Sequence, residues 1–221
     1  MNTTETRSAR GRLLVGLGAA AATAAAGWTA LRQPAEGKPA PRGALRAHGR
    51  LPNPIVHTHD GRSVRFYDDL IRDRVVAIHM TYLQCSETCP PTIGNLIRVQ
   101  ELLGERAGRD VFIYSITLVP ELDTPAAMKD YVAKLGLGKG WTFLTGAPAD
   151  IESIRRGLGF FDVDPAVDAD RNQHAGMIRI GNGAVDRWTM APGLVRPEQI
   201  LSTINHVDRS VVHTAGHRAA A

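Results

Sequence analysis

Two short apolar runs rich in β-branched residues, "RVVAIHM" (74–80) and "VFIYSITLV" (111–119), are separated by one helical pattern. Each run is bounded by turn residues and reads as a strand buried inside a sheet. Between them, Ile93, Leu96, Ile97, Val99 and Leu103 recur at helical spacing and predict a helix over 92–103. Further along, Thr124 followed by Pro125 is a cap with proline at the first helical position, and Gly136 suits that helix's end. "WTFL" predicts a short strand, and 150–158 a helix. "GMIRI" and "AVDRWTM" flank Gly181-Asn182-Gly183 and read as a hairpin, after which 197–207 closes with a helix. Before all of these, "NPIVHTHDGRSVRFYDDL" alternates around Asp60-Gly61 and predicts a hairpin.

Strands that alternate with helices in this order imply an α/β architecture built on a βαβ core, its sheet covered on both faces. A thioredoxin-like central sheet flanked by helices, with an added N-terminal β-hairpin, has this arrangement. No internal repeat and no second linker interrupt the body, so residues 51–209 are expected to form one domain.

The 43% hydrophobic and 22% charged residues suit such a domain, but the net charge of +4 is unevenly placed. Residues 1–50 hold eight Lys/Arg against two Glu, which leaves 18 basic and 20 acidic groups for the rest. The body therefore lacks the basic excess that a nucleic-acid reader needs. Arg7, Arg10 and Arg12 precede an uncharged, Ala- and Gly-rich run from Leu13 to Leu31 that ends at Arg32. Residues 1–32 read as an export signal or a membrane anchor, and either one places the body outside the cytoplasm. Residues 33–50 form a Pro/Gly/Ala tether, and 210–221 a disordered tail.

Both cysteines of the chain, Cys85 and Cys89, fall in "TYLQCSETCPPT", where the first core strand runs into its helix. A cysteine at a helix start lies near backbone N–H groups and the positive end of the helix dipole, so its thiolate is favoured. Three intervening residues still permit a disulfide, and they also let two thiolates converge on one soft metal. Copper suits thiolate and imidazole ligands. A structural zinc normally takes four protein ligands, and a peroxidatic cysteine needs supporting groups that are not evident. Of the eight histidines, His174 in "RNQHAGMIRIG" stands out, because in this topology its loop lies beside the cysteine turn. Two thiol readings remain open beside metal binding: disulfide exchange with a partner, and a structural disulfide natural to an oxidising compartment.

"TYLQCSETCPPT", "YSITLVPELDTP", "FLTG" and "QHAGMIRI", in that order, resemble the Sco (SenC) family of thioredoxin-like, copper-binding assembly factors for the copper centre of cytochrome c oxidase. The resemblance spans about residues 50 to 205. It implies that Cys85, Cys89 and His174 hold one copper ion. It further implies a protein tethered to the outer face of the inner membrane, or periplasmic, that delivers copper to a respiratory enzyme subunit or keeps that subunit's thiols reduced. A periplasmic copper donor or thiol reductant would then be a second partner. The family's Pro and Asp between the cysteines are replaced by Ser86, Glu87 and Thr88, its Asp-Pro after the second strand by Val119-Pro120, and its Asp before the histidine by Gln173.

Other donors have plainer readings. His57 and His59 alternate on a strand and share a face, which suits solvated edge residues more than an accessory metal site. His79 reads as a satisfied core residue, and His213 and His217 as tail residues. Met177 and Met190 are soft donors in apolar strand runs and read as packing. Tyr82 and Trp188 are expected to flank the thiols, and Glu87 to tune them or touch a partner.

Overall fold

The structure is a computed structural model that describes residues 51–170 and 176–208. Contacts divide the chain after His48, and all described residues belong to the second unit. The expected export segment, the tether, His174 and the tail histidines lie outside the described residues. Among those that are described, no helix is long and apolar enough to cross a membrane.

The spine of the fold is β3 (Val75–Thr81), all seven of whose residues are buried. A strand buried on both sides must lie inside a sheet with cover on each face. β3 pairs in parallel with β4 (Val111–Thr117), and β4 in parallel with β5 (Trp141–Gly146). On the other flank β6 (Met177–Asn182) runs antiparallel to β3 and carries β7 (Arg187–Pro192) at the edge. β1 (Ile55–Thr58) and β2 (Ser63–Arg65) form the N-terminal hairpin against β5, giving a seven-stranded sheet in the order β2-β1-β5-β4-β3-β6-β7.

Helices α1 (Cys89–Leu103), α2 (Pro125–Leu135) and α5 (Pro197–Val207) cover one face. There Ile93, Leu96, Met128 and Ile200 pack on Val75, Ala77, Phe143 and Ile178. Helix α3 (Pro148–Gly157) and a π-helical turn at Phe66–Ile71 cover the other, burying Val76, Ile78 and Met80 against Phe66, Ile71 and Ile154. Each fully buried Leu or Ile side chain contributes on the order of 2 kcal/mol. The predicted caps of α2 are present: Thr124 Oγ1 accepts the Ala127 N–H at 3.2 Å, and Gly136 closes the helix in the left-handed region at φ 62°. A short helix, α4 (Pro165–Asp168), follows α3.

Three boundaries differ from the sequence reading. The N-terminal hairpin stops at Arg65, because a strand continuing through 66–71 would send Leu70 and Ile71 to opposite faces, whereas the π-helical turn buries both with Phe66. Helices α1 and α3 begin earlier than expected, at or just before prolines, which cost nothing in a first turn where the N–H has no partner. The β6–β7 turn lies at 183–186 rather than 181–183. Gly181 stays in the strand because the Trp188 ring occupies the place of its missing side chain.

Candidate metal and thiol site

β3 ends at Thr81, whose carbonyl accepts the Leu118 N–H at 2.8 Å, and the chain turns through Tyr82 and Leu83 before entering α1 at Cys89. The Cys85 N–H donates to the Tyr82 carbonyl at 3.1 Å and closes this turn. Pro90 and Pro91 supply no N–H to the first turn of α1, and Thr92 donates to Thr88. The amide of Cys89 is therefore the helix-start donor aimed at the site, and it points at Cys85 Sγ from 3.2 Å. A donor so placed favours negative charge on that sulfur once it is reduced.

Cys85 and Cys89 are joined as a disulfide, their Cα atoms 5.8 Å apart. Cys89 is 1% exposed and Cys85 8%, so an attacking group or an ion reaches Cys85 first. Both pack into the same core as Ile93 and Ile178, while Ser86 and Glu87 between them stand exposed.

One residue absent from the sequence reading fixes the turn. The buried carboxylate of Asp123 accepts Thr117 Oγ1–H at 2.6 Å and the Leu83 N–H at 3.2 Å, while Thr117 Oγ1 accepts the Val119 N–H at 2.8 Å. It thereby ties the cysteine turn to the loop after β4. Its sequence signal is the Asp-Thr-Pro preceding α2, where Thr124 is the cap. Asn95 of α1 acts similarly, donating to the carbonyls of Gly193 and Val195 at 2.8 and 3.0 Å.

Gly176, the first described residue after His174 in the chain, accepts the Gly193 N–H at 2.8 Å through its carbonyl. It lies against the cysteine turn, since a Cβ built there would stand 3.7 Å from Thr88 Cγ2. Among the described residues no group of three or more His, Cys, Asp or Glu could hold a metal.

The remaining candidates are dispersed. His57 meets Ser63 Oγ at 3.0 Å, whereas His59 Nδ1 accepts the Phe143 N–H at 3.2 Å, so the pair serves two different partners. Burial holds the His59 pKa below its ordinary value. His79 is wholly buried, with Nε2 2.6 Å from Ser115 Oγ, which also accepts the Trp141 indole N–H at 2.8 Å. Burial drives its pKa down to about 4, against a smaller opposing effect of the Met80 backbone. Its Nδ1 has no partner among the described residues, so it is not the fully satisfied core residue expected. Tyr82 is partly buried at the turn and Glu87 is exposed there, whereas Trp188 sits opposite Gly181. That is four residues along β6 from its site end at Met177, or roughly 13 Å, so Trp188 does not flank the thiols.

A parallel β3–α1–β4–α2–β5 core with a cysteine pair at its first strand-to-helix turn defines a thioredoxin-like thiol protein. The sequence matches the SCO1/SenC family over residues 56–207, and the chain belongs to that family. Among solved structures it is similar to Bradyrhizobium japonicum ScoI with copper bound (20% identity, TM-score 0.54, covering 71% of this chain and 99% of that one). It is also similar to BsSco, a member of the Sco family of cytochrome c oxidase assembly proteins in which a disulfide switch was identified (19%, 0.57, 72% and 92%). A SCO1/SenC family lipoprotein from Bacillus anthracis is a third such structure (20%, 0.57, 71% and 94%). At these identities the likeness establishes the fold. No curated protein matches the chain.

Proposed function

We infer that this protein is an exported copper chaperone, a metallation factor that delivers copper to the copper centre of cytochrome c oxidase or a related respiratory enzyme. The observation that carries the reading is the pairing of two sulfurs in one turn, with the Cys89 amide directed at Cys85. In this reading an external dithiol gives the disulfide two electrons and two protons and itself becomes a disulfide, and the two thiols of this chain then bind one copper ion as thiolates and release their protons. His174 is the third ligand. Two residues reach at most about 7 Å, and Gly176, two positions after His174, lies against the cysteine turn. The similar ScoI structure holds copper, which supports copper as the ion. Copper is the cargo: it leaves by ligand exchange in a transient complex, and oxidation of the sulfurs prevents reloading.

The domain at 51–209 would work outside the cytoplasm, in the periplasm or anchored to the outer face of the inner membrane by residues 1–32. The similar lipoprotein is consistent with such anchoring.

The difference in exposure between the two sulfurs favours a second reading, thiol–disulfide exchange. The Cys85 thiolate attacks a disulfide of the target subunit, one target thiol leaves, and Cys89 attacks the mixed disulfide to release the second. The chain is then oxidised, and an external dithiol must reduce it. Copper titration of the reduced protein and its variants separates the two readings. For the chaperone, Cys85→Ala and His174→Ala each weaken copper binding at least about tenfold, the worth of about 1.4 kcal/mol; unchanged affinity in either removes this ligand set. For the reductase, His174→Ala leaves exchange intact and Cys89→Ala abolishes it.

A further inference from the structure

The face of the β6–β7 hairpin on the side of α3 holds a cation that no described residue neutralises. Arg179 stands between Ile78 and Met190 in the sheet and is half-buried; its Nε is buried with no hydrogen-bond partner among the described residues. Burial lowers its pKa with no carboxylate opposing the shift. The guanidinium rests on the Trp188 ring, 5.6 Å from the centroid. That ring is held in place from two sides. Its N–H donates to Asp186 Oδ1 at 2.8 Å, and it lies flat on Gly181, where a Cβ would overlap it. A half-buried guanidinium without an anion is unfavourable for folding. A methionine at 179 would keep the packing on Trp188 and remove that cost.

One strand step toward the thiols, Met177 and Met190 line a cleft of about 160 Å³ with Phe160, Phe161 and Val167; Asp162 at its rim accepts the Asp164 N–H. Phe161 is 48% exposed although it is aromatic. Trp, Arg, Met and Phe are the side chains enriched at the buried centres of protein interfaces. The face also adjoins the cysteine turn, since Met177 follows Gly176, which lies against Thr88.

We propose that this face docks an extended segment of a partner protein, with a carboxylate of the partner on Arg179 and a large apolar side chain in the Met177–Met190 cleft. Met177 and Arg179 are alternate residues of one strand and about 7 Å apart, so the two partner groups are alternate residues as well. Charge complementarity selects an acidic partner, and the chain's own segments outside the described body have the wrong sign. Residues 1–50 carry eight Lys/Arg against two Glu, and residues 209–221 contain no Asp or Glu. The inference stands whether or not the cysteines carry copper.

The test uses the full chain, oxidised and metal-free, with labelled, end-blocked peptides that place Asp and Phe two residues apart in either order. Matched peptides carry Asn for Asp, and binding is read by fluorescence anisotropy. One Asp peptide is expected to bind, with the Asn peptide or the Arg179→Met variant weaker by about tenfold, the worth of one charge-assisted pair. Arg179→Met is expected to unfold at the same denaturant concentration as the parent or a higher one. No binding of either Asp peptide at millimolar concentration, equal binding of Asp and Asn peptides, or a less stable Arg179→Met each overturns the proposal. So does sedimentation showing a dimer that Arg179→Met dissolves, because the occupant is then a second copy of this chain.

Discussion

His79 is expected to make the domain acid-sensitive in a defined window. The imidazole is wholly buried and neutral, with Nε2 bonded to Ser115, and protonation would place a charge inside the core. Its pKa falls from 6.5 to about 4 on folding, burial being the main cause. The folded state thus binds the proton less well than the unfolded chain. The contribution is fully present above pH 6.5 and is lost as pH falls from there toward 4. The shift corresponds to about 3 kcal/mol in total, of which about 2 kcal/mol is gone by pH 5. His79→Phe preserves the bulk beside Trp141 and removes the titration. At neutral pH it costs about 1 kcal/mol for the bond to Ser115. Urea unfolding of the oxidised, metal-free protein at pH 7, 6 and 5 checks this. The parent should lose about 2 kcal/mol more than His79→Phe across that range, and parallel curves for the two proteins would refute the reasoning.

Three other perturbations bear on the turn and its surroundings. Asp123→Ala strands the Thr117 hydroxyl and the Leu83 N–H, and is expected to cost about 2–3 kcal/mol in denaturant unfolding; a cost below about 0.5 kcal/mol would mean the carboxylate does not hold the turn. Reducing the Cys85–Cys89 bond removes a cross-link across a separation of four residues, so calorimetry should show a loss of no more than about 2 kcal/mol. The Asp168 carboxyl is held well below the ordinary range, chiefly by hydrogen bonds from Arg155. That pairing contributes above the ordinary carboxylate pKa and is lost as pH falls through the lowered one. The stability deficit of Arg155→Met should therefore be largest at neutral pH and shrink in acid, as unfolding at pH 7 and pH 3 would show.

The elements legible in the sequence are those whose signals are local. Thr124, Pro125 and Gly136 bracket α2 by their own side-chain and backbone chemistry, and two apolar runs sufficed to find β3 and β4. The misplaced boundaries depend on distant contacts. Nothing near Gly181 tells that a tryptophan seven residues later will lie on it and keep it in the strand. The cysteine pair was legible because its spacing and its place before a helix are local facts. Asp123 was not, because it acts on Leu83, 40 residues earlier. Likewise Arg179 looks like one of many surface arginines until the fold buries its Nε with no hydrogen-bond partner among the described residues.

In the proposed function the two sulfurs of the cysteine turn hold copper when reduced and give up their claim on it when joined. Titrating copper(I) into the fully reduced and the fully oxidised protein, against a chelator of known affinity, measures that directly. One tightly held ion per reduced chain, with none retained by the oxidised chain, is the predicted result. Equal retention by both forms, or by neither, would contradict it.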